Sequence, residues 1–464
     1  MAETPISLTI GEFAAGLRPE HIPAEVLQQA RLLILDCVGI AFASTTFEFS
    51  KRAIAAATAL DNGTHAVIAN PQRLTLRDAI LVNGINVHGL DFDDTHVASV
   101  THVSASSFPT ALGVAAGREM STAEMLAAYV LAIEVSARIG AAANSGFHTV
   151  GFHPTGLVGA FGCSVGAAKL LGLPARLVAA AQGIAGSMAS GNMEFLETGA
   201  WTKRIHPGWA GVAGVTAAMF AQQGFEAPPY IYEGRYGLYN LHLPPGTVAD
   251  LAACTKGFGE IWELMSTAVK PFPACHFTHG CAEAALQLVR EEGLTASQVK
   301  SMQGLVHPGV MGVVCEPYEN KVKPRSEYDA KFSLPYVIAA SIVRDRFSLA
   351  ELDDVSLHDP EILDLAAKCV CVADPTSTHP IHYSGEVIVE TTDGRTLHRR
   401  HQINLGAADR PLSEHDITEK FFGNMALAVD RNTAEKVHAA TLALGSGNSA
   451  DPSGARAYAE LLRG

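Results

Sequence analysis

Charge is scarce in this 464-residue chain and leans one way: 17% of residues are charged, with 33 Lys and Arg against 47 Asp and Glu, a formal net charge of -14. A surface of that sign repels nucleic acid and anionic membranes over most of its area, so neither is expected as a partner, and an anionic substrate needs a local basic pocket. With 48% hydrophobic residues the chain is not a disordered one, and its length allows two domains. The eight cysteines include none of the close C-x-x-C pairs of structural zinc or bacterial-type iron–sulfur sites. Cys369-Val-Cys371 is the one tight pair, on an alternating segment that turns both sulfurs to one face, and the set reads as buried thiols of a reducing compartment. The first thirty residues lack a basic region followed by an apolar one, since Glu3, Glu12, Arg18 and Glu20 intervene, and the expected location is cytoplasmic. The most apolar window, Met125 to Ile139, carries Glu134 and Arg138; it is too short and too charged to cross a bilayer and reads as a core helix. There is no internal repeat and no low-complexity tract.

Helical spacing dominates the N-terminal part. Pro23 opens an amphipathic pattern through Val26, Ala30, Leu33, Ile34, Cys37, Val38 and Ala41. Ser121 and Glu124 form a capping box ahead of Met125, Tyr129, Ile133 and Ile139. From Gly156 to Gly191 the chain is crowded with Gly, Ala and Ser, which predicts close-packed helices at the centre of an all-helical domain and a self-complementary surface for a two-fold dimer. After about residue 268 the pattern changes. Leu305 to Val314, Val370 to Val372, Glu386 to Thr391 and Thr396 to Ile403 read as strands, with Asp393-Gly394 as a hairpin turn, and helices are expected at Gly280 to Glu292 and Ser333 to Asp345. Helical pattern returns around Leu412. The expected fold is mainly α: a large all-helical domain, 1–268 plus 408–464, with an inserted smaller α+β domain, 269–407.

Five segments carry chemistry. His88-Gly-Leu-Asp-Phe-Asp-Asp-Thr-His96, continuing to His102, sets Asp91, Asp93 and Asp94 within four positions, a crowding that is costly unless the carboxylates are solvated, bind a cation or shift one another's pKa. Asp91, Asp93 and His96 are thus candidate metal ligands. Asp91-x-Asp93-x-Thr95 also matches an aspartyl phosphotransferase pattern formally, but helical sequence precedes it where a strand is required, which disfavours phosphoryl transfer. His153 precedes Pro154 and a small-residue helix, near whose N-terminus an anion binds readily. In Gly199 to Gly208, Lys203 and His206 share a helical face and can present a cation and a proton carrier to one substrate. Lys270-Pro-Phe-Pro-Ala-Cys-His-Phe-Thr-His279 offers Lys270, Cys275, His276 and His279, and Tyr328 to Tyr336 offers Lys331 and a phenol. For each the bland alternative, a capped helix end, a surface loop or a structural histidine, stays open.

Leu90-Asp-Phe-Asp-Asp-Thr95, Thr202-Lys-Arg-Ile-His206 and Lys270-Pro-Phe-Pro273, in that order with the two other segments, resemble the MmgE/PrpD family over nearly the whole chain. The resemblance implies a helical domain, a smaller α+β domain, a cleft between them, and a homodimer formed through the helical domain. It implies an enzyme, a lyase or isomerase of small polycarboxylates in the manner of 2-methylcitrate dehydratases, cis-aconitate decarboxylases and iminodisuccinate epimerase, with no organic cofactor and no iron–sulfur cluster. No metal is expected either, because no carboxylate or thiolate cluster is paired with a convincing second metal-binding group. Dehydration of the 2-methylcitrate type is the leading expectation, with cis-aconitate-type decarboxylation or iminodisuccinate-type epimerisation as alternatives and a carboxylate-binding dimer as the non-enzyme alternative. Carried onto this sequence, the implied catalytic residues are His102, His153, Asp91 and Tyr336, with Thr95, Lys203, His206, Lys270, His276 and His279 binding substrate. His102 and His153 are expected to move the proton, Asp91 to orient an imidazole, and Tyr336 or Thr95 to handle the leaving or incoming group.

Overall fold

The computed structural model describes residues 4–446 and 454–464. Helix dominates and strands are few and short, as the periodicities require. The longer helices are α1 Ile6–Gly16, α2 Ala24–Ser44, α3 Glu48–Leu60, α4 Leu76–His88, α5 Val103–Gly117, α6 Thr122–Ala141, α7 Pro154–Leu170, α8 Ala175–Ala185, α9 Ile205–Gln222, α10 His279–Glu292, α11 Leu334–Arg344, α12 Glu414–Met425, α13 Arg431–Leu442 and α14 Gly454–Leu461. The strands are β1 His65–Val67, β2 Asn70–Leu74, β3 Thr95–His96, β4 Thr267–Ala268, β5 Val299–Val306, β6 Cys369–Ala373, β7 Gly385–Thr391 and β8 Thr396–His401. The chain forms two compact units. The first comprises Met1–Met193, Thr202–Val269 and Ser413–Gly464; the second comprises Glu194–Trp201 and Lys270–Leu412.

In the first unit, α7 is enclosed by α5, α6 and α9, and all its residues but Lys169 are buried. Its glycines serve this packing: a Cβ at Gly162 would strike the Ala132 carbonyl and the Ser136 hydroxyl of α6. The small-residue stripe is therefore consumed within one chain, and the dimer surface expected from it is not on α7. A similar approach joins α4 to α9, where a Cβ on Gly84 would lie 2.5 Å from Gly208 Cα. That closeness brings the C-terminal end of α4, with His88, beside the start of α9, with His206.

The helix α2 is apolar and long enough to cross a membrane by composition, yet 78% of its apolar window is buried inside the fold. It was expected to be amphipathic, but from Leu32 to Ser44 every residue is buried, because α4, α12 and α13 all pack on it. Its one deep charge, Asp36, meets Lys420 of α12 at 2.7 Å. The capping box on α6 is present: Ser121 Oγ accepts the Glu124 amide at 3.2 Å, and Glu124 accepts the Ser121 amide at 3.1 Å. Glu134 and Arg138, the charges in the apolar window, pair at 3.3 Å, and Glu134 accepts the amides of Glu263 and Leu264 at 3.1 and 2.9 Å. They anchor the segment leading to β4, which pairs antiparallel with β3.

The second unit holds a four-stranded sheet in the order β6-β5-β7-β8, with β5 and β6 parallel and the other pairs antiparallel. Helix α10 packs on β7 and β8, and α11 on β5 and β6. Gly394, at φ 87°, supplies the left-handed turn of the β7–β8 hairpin. The expected strand from Leu305 to Val314 is corrected: β5 runs from Val299 to Val306, after which Pro308 starts a tight turn whose Gly309 amide His307 caps at 3.0 Å.

Candidate active site

Three histidines converge in the first unit. His88 ends α4, His102 precedes α5, and His153 precedes Pro154 of α7, so each ring sits at a helix terminus. Their ring centroids are 4.6 Å (His88–His102), 5.6 Å (His88–His153) and 5.9 Å (His102–His153) apart, and all three are buried. Each has one nitrogen anchored. His88 Nδ1 meets Asp93 Oδ2 at 2.8 Å, His102 Nδ1 donates to the Asp94 carbonyl at 2.9 Å, and His153 Nδ1 shares a proton with His206 Nδ1 at 2.9 Å. The carbonyl partner fixes the proton of neutral His102 on Nδ1 and leaves Nε2 as a lone pair. The His102 amide also donates to Thr155 Oγ1 at 3.0 Å.

The acidic loop between α4 and β3 is held by three cations. Lys203 donates to Asp91 Oδ1 at 2.7 Å, Arg204 to the Gly89 carbonyl at 2.7 Å and Lys420 to the Phe92 carbonyl at 2.8 Å. Arg204 also stacks over the Phe49 ring, and Lys420 over Phe92. Asp91 adopts φ 51°, a left-handed conformation unfavourable for a side chain with a Cβ, and the network keeps it there. The Asp91 carboxylate is 2.7 Å from Lys203 Nζ and 3.9 Å from His102 Nε2, while Asp93 and the Asp94 carbonyl bond the Nδ1 atoms of His88 and His102. Thr95 Oγ1 is buried without a hydrogen-bond partner among the described residues, which suits it to a ligand. His96 lies apart from this cluster, bonded to Ser99 Oγ at 2.9 Å and Glu263 at 3.2 Å, so it is a structural histidine and not the metal ligand considered from sequence.

In the second unit Lys270 is buried, and His276 and His279 lie with ring centroids 4.7 Å apart. His276 Nε2 accepts from Asn404 Nδ2 at 2.7 Å, and His279 Nε2 donates to the Ala274 carbonyl at 3.1 Å. The Tyr336 hydroxyl donates to the Glu351 carbonyl at 2.7 Å in the core of this unit. That bond directs the hydroxyl proton to the main chain of the fold. Lys331 is likewise engaged, by Glu327 at 3.0 Å, and the Cys275 amide donates to the Lys331 carbonyl at 2.8 Å.

The model of the MmgE/PrpD N-terminal domain matches residues 8–249, and that of the MmgE/PrpD C-terminal domain matches residues 272–445. The chain belongs to the MmgE/PrpD family. Among characterised proteins it is similar to the cis-aconitate decarboxylase of Homo sapiens, 29% identical over 434 residues covering 91% of this chain and 88% of that protein. The cis-aconitate decarboxylase of Mus musculus is 29% identical over 91% of this chain and 87% of its own length. That of Aspergillus terreus is 24% identical over 96% of this chain and 94% of its own length.

Within this MmgE/PrpD site, burial sets the protonation states. His153 is pushed well below its usual pKa by burial first, then by His206, Lys203, His88 and His102. Burial also lowers His88, against the pull of Asp93. His206 and His148 fall to about 4, chiefly by burial, His206 also feeling His88 and Lys203 and His148 feeling Lys203. Asp94 moves the other way, raised by burial to about 7 although Ser104 donates to it. For the histidines, the unfolded chain takes up protons below about pH 6.5 that the folded chain refuses, so stability falls on acidification from there towards pH 4. For Asp94 the folded chain takes up its proton first, so stability rises as pH falls from 7 to about 4. Four groups oppose one, and the melting temperature is expected to drop between pH 6.5 and 5. In Asp94→Asn, which lacks the opposing gain, scanning calorimetry should show a steeper drop; an identical profile would refute the assignment.

Proposed function

We propose that this chain is a lyase of small polycarboxylates and that decarboxylation of a cis-aconitate-type tricarboxylate is its reaction. The observation that carries the reading is the pair His102 and His153, each anchored through one nitrogen, beside the ammonium of Lys203. The names of the relatives favour decarboxylation over the 2-methylcitrate-type dehydration expected from sequence. A substrate carboxylate takes a place beside the Lys203 ammonium, which carries three donors. The bond to the departing carboxylate breaks, its electron pair forms a new double bond with the adjacent carbon, the old double bond shifts, and the far alkene carbon takes a proton from an imidazolium. Substrate carboxylates supply the negative charge that lets a buried imidazole hold that proton. His206, half-buried and bonded to His153, refills it.

Proton NMR in deuterated water, with cis-aconitate, 2-methylcitrate, citrate and iminodisuccinate in turn, tests this. The expected result is consumption of cis-aconitate with one deuterium in the product methylene. New alkene signals from 2-methylcitrate alone would replace decarboxylation by dehydration, and exchange without net conversion would indicate an epimerase.

The functional unit we propose is a dimer. Ile205, Trp209 and Phe220 share one exposed face of α9, with 43%, 43% and 48% of their surface open, and Phe225 packs edge-on against Phe220. A second copy is the expected cover for this stripe. Light scattering at micromolar concentration should give twice the chain mass for the wild type and the single mass for Trp209→Arg; a monomeric wild type would sink the proposal.

A further inference from the structure

We infer that His88, His102 and His153 form a binding site for a tetrahedral divalent transition ion of the zinc type. We infer also that its occupancy switches the enzyme off. The second statement rests on the proton-carrier reading above; the first rests on geometry alone.

One ring nitrogen from each histidine lies within 4.8 Å of the other two. An ion holding imidazoles at about 2.0–2.1 Å in tetrahedral geometry places the ring centroids about 5 Å apart. The separations of 4.6, 5.6 and 5.9 Å bracket that value. The outer shell is also in place. Metal-binding histidines usually spend their second nitrogen on a carboxylate, a carbonyl or another polar group, which fixes the tautomer. Here these partners are Asp93, the Asp94 carbonyl and His206. His88 Nε2 is fully buried and has no hydrogen-bond partner among the described residues, an arrangement costly to maintain unless something binds there. Charge agrees: the carboxylates of Asp91 and Asp93 against the ammonium of Lys203 leave one negative charge beside the rings. A fourth position falls to water or a substrate carboxylate. The lone pairs that would hold the ion on His102 and His153 are those a proton carrier uses, so ion and turnover exclude each other.

The test uses the full chain, stripped of metal and titrated with Co²⁺ alone. One Co²⁺ per chain is expected, with the visible absorption of a tetrahedral nitrogen and oxygen environment, displaced by Zn²⁺. Asp93→Asn should weaken binding by roughly 10- to 100-fold, the usual cost of losing an outer-shell partner, and His88→Gln by more. His153→Gln is the second variant should His88→Gln fail to fold, and thermal melts check both. With cis-aconitate as substrate, Zn²⁺ should abolish turnover and a chelator restore it fully. A thiolate charge-transfer band, or unchanged affinity in a folded histidine variant, would overturn the site. Stimulation by Zn²⁺ would overturn the inhibition alone. Cobalt binding is read without turnover, so failure of the proposed reaction leaves it measurable.

Discussion

His153→Gln is expected to bind substrate nearly as the wild type does and to turn it over roughly 10²- to 10⁴-fold more slowly. The amide retains a polar partner for His206, whose ring lies 2.9 Å away in the wild type, so the pocket keeps its shape while losing a group that titrates. Rapid-quench single turnover separates the two quantities, with affinity from isothermal titration. The remaining activity should also lose the pH dependence contributed by this imidazole. Near-wild-type turnover in a folded variant would remove His153 from the chemistry and leave His102 as the carrier.

Lys203→Ala should fail in two ways at once. Its ammonium is 2.7 Å from Asp91 and both groups are buried, so removing it takes the nearest cation from a buried carboxylate, at a cost of about 3–5 kcal/mol in folding stability. It also deletes a charge-assisted contact to substrate of roughly 1.5–3 kcal/mol, a loss of about 10- to 100-fold in affinity. The double variant Lys203→Ala, Asp91→Asn separates these effects. Neutralising Asp91 should restore most of the melting temperature and none of the affinity. Recovery of both would show that Lys203 only holds the loop and never touches the substrate.

Local signals were legible where a residue and its partner lie close in sequence. Ser121 with Glu124 marked the start of α6, and Asp393-Gly394 marked the β7–β8 turn, because both depend on contacts over three or four residues. The motifs also located Asp91, His102, His153, Lys203 and His206, which the first unit brings together. Burial from several sides was not legible. The apolar spacing of α2 looked one-faced, whereas its second half is enclosed by α4, α12 and α13, all more than thirty residues further along the chain. The position of His88 beside two rings at other helix ends was not legible, although its five-residue spacing from Asp93 was visible. Arg204 and Lys420 bond the loop through main-chain carbonyls, Gly89 and Phe92, for which side-chain chemistry gives no clue. The bond from Tyr336 to the Glu351 carbonyl was not legible either, since a phenol in a motif looks the same whatever its hydroxyl meets.

The bond from Lys420 to Phe92 joins residues 328 positions apart, with the whole of the second unit encoded between them. A ribosome therefore delivers the acidic loop, all three histidines and Lys203 long before the cation that secures Phe92 and pairs with Asp36. Until then Asp36 lacks the ammonium of Lys420, and α2 lacks the α12 face that covers it. The first unit therefore gains this contact only after the second has been made, and the loop through Phe92 acquires its bond from Lys420 last.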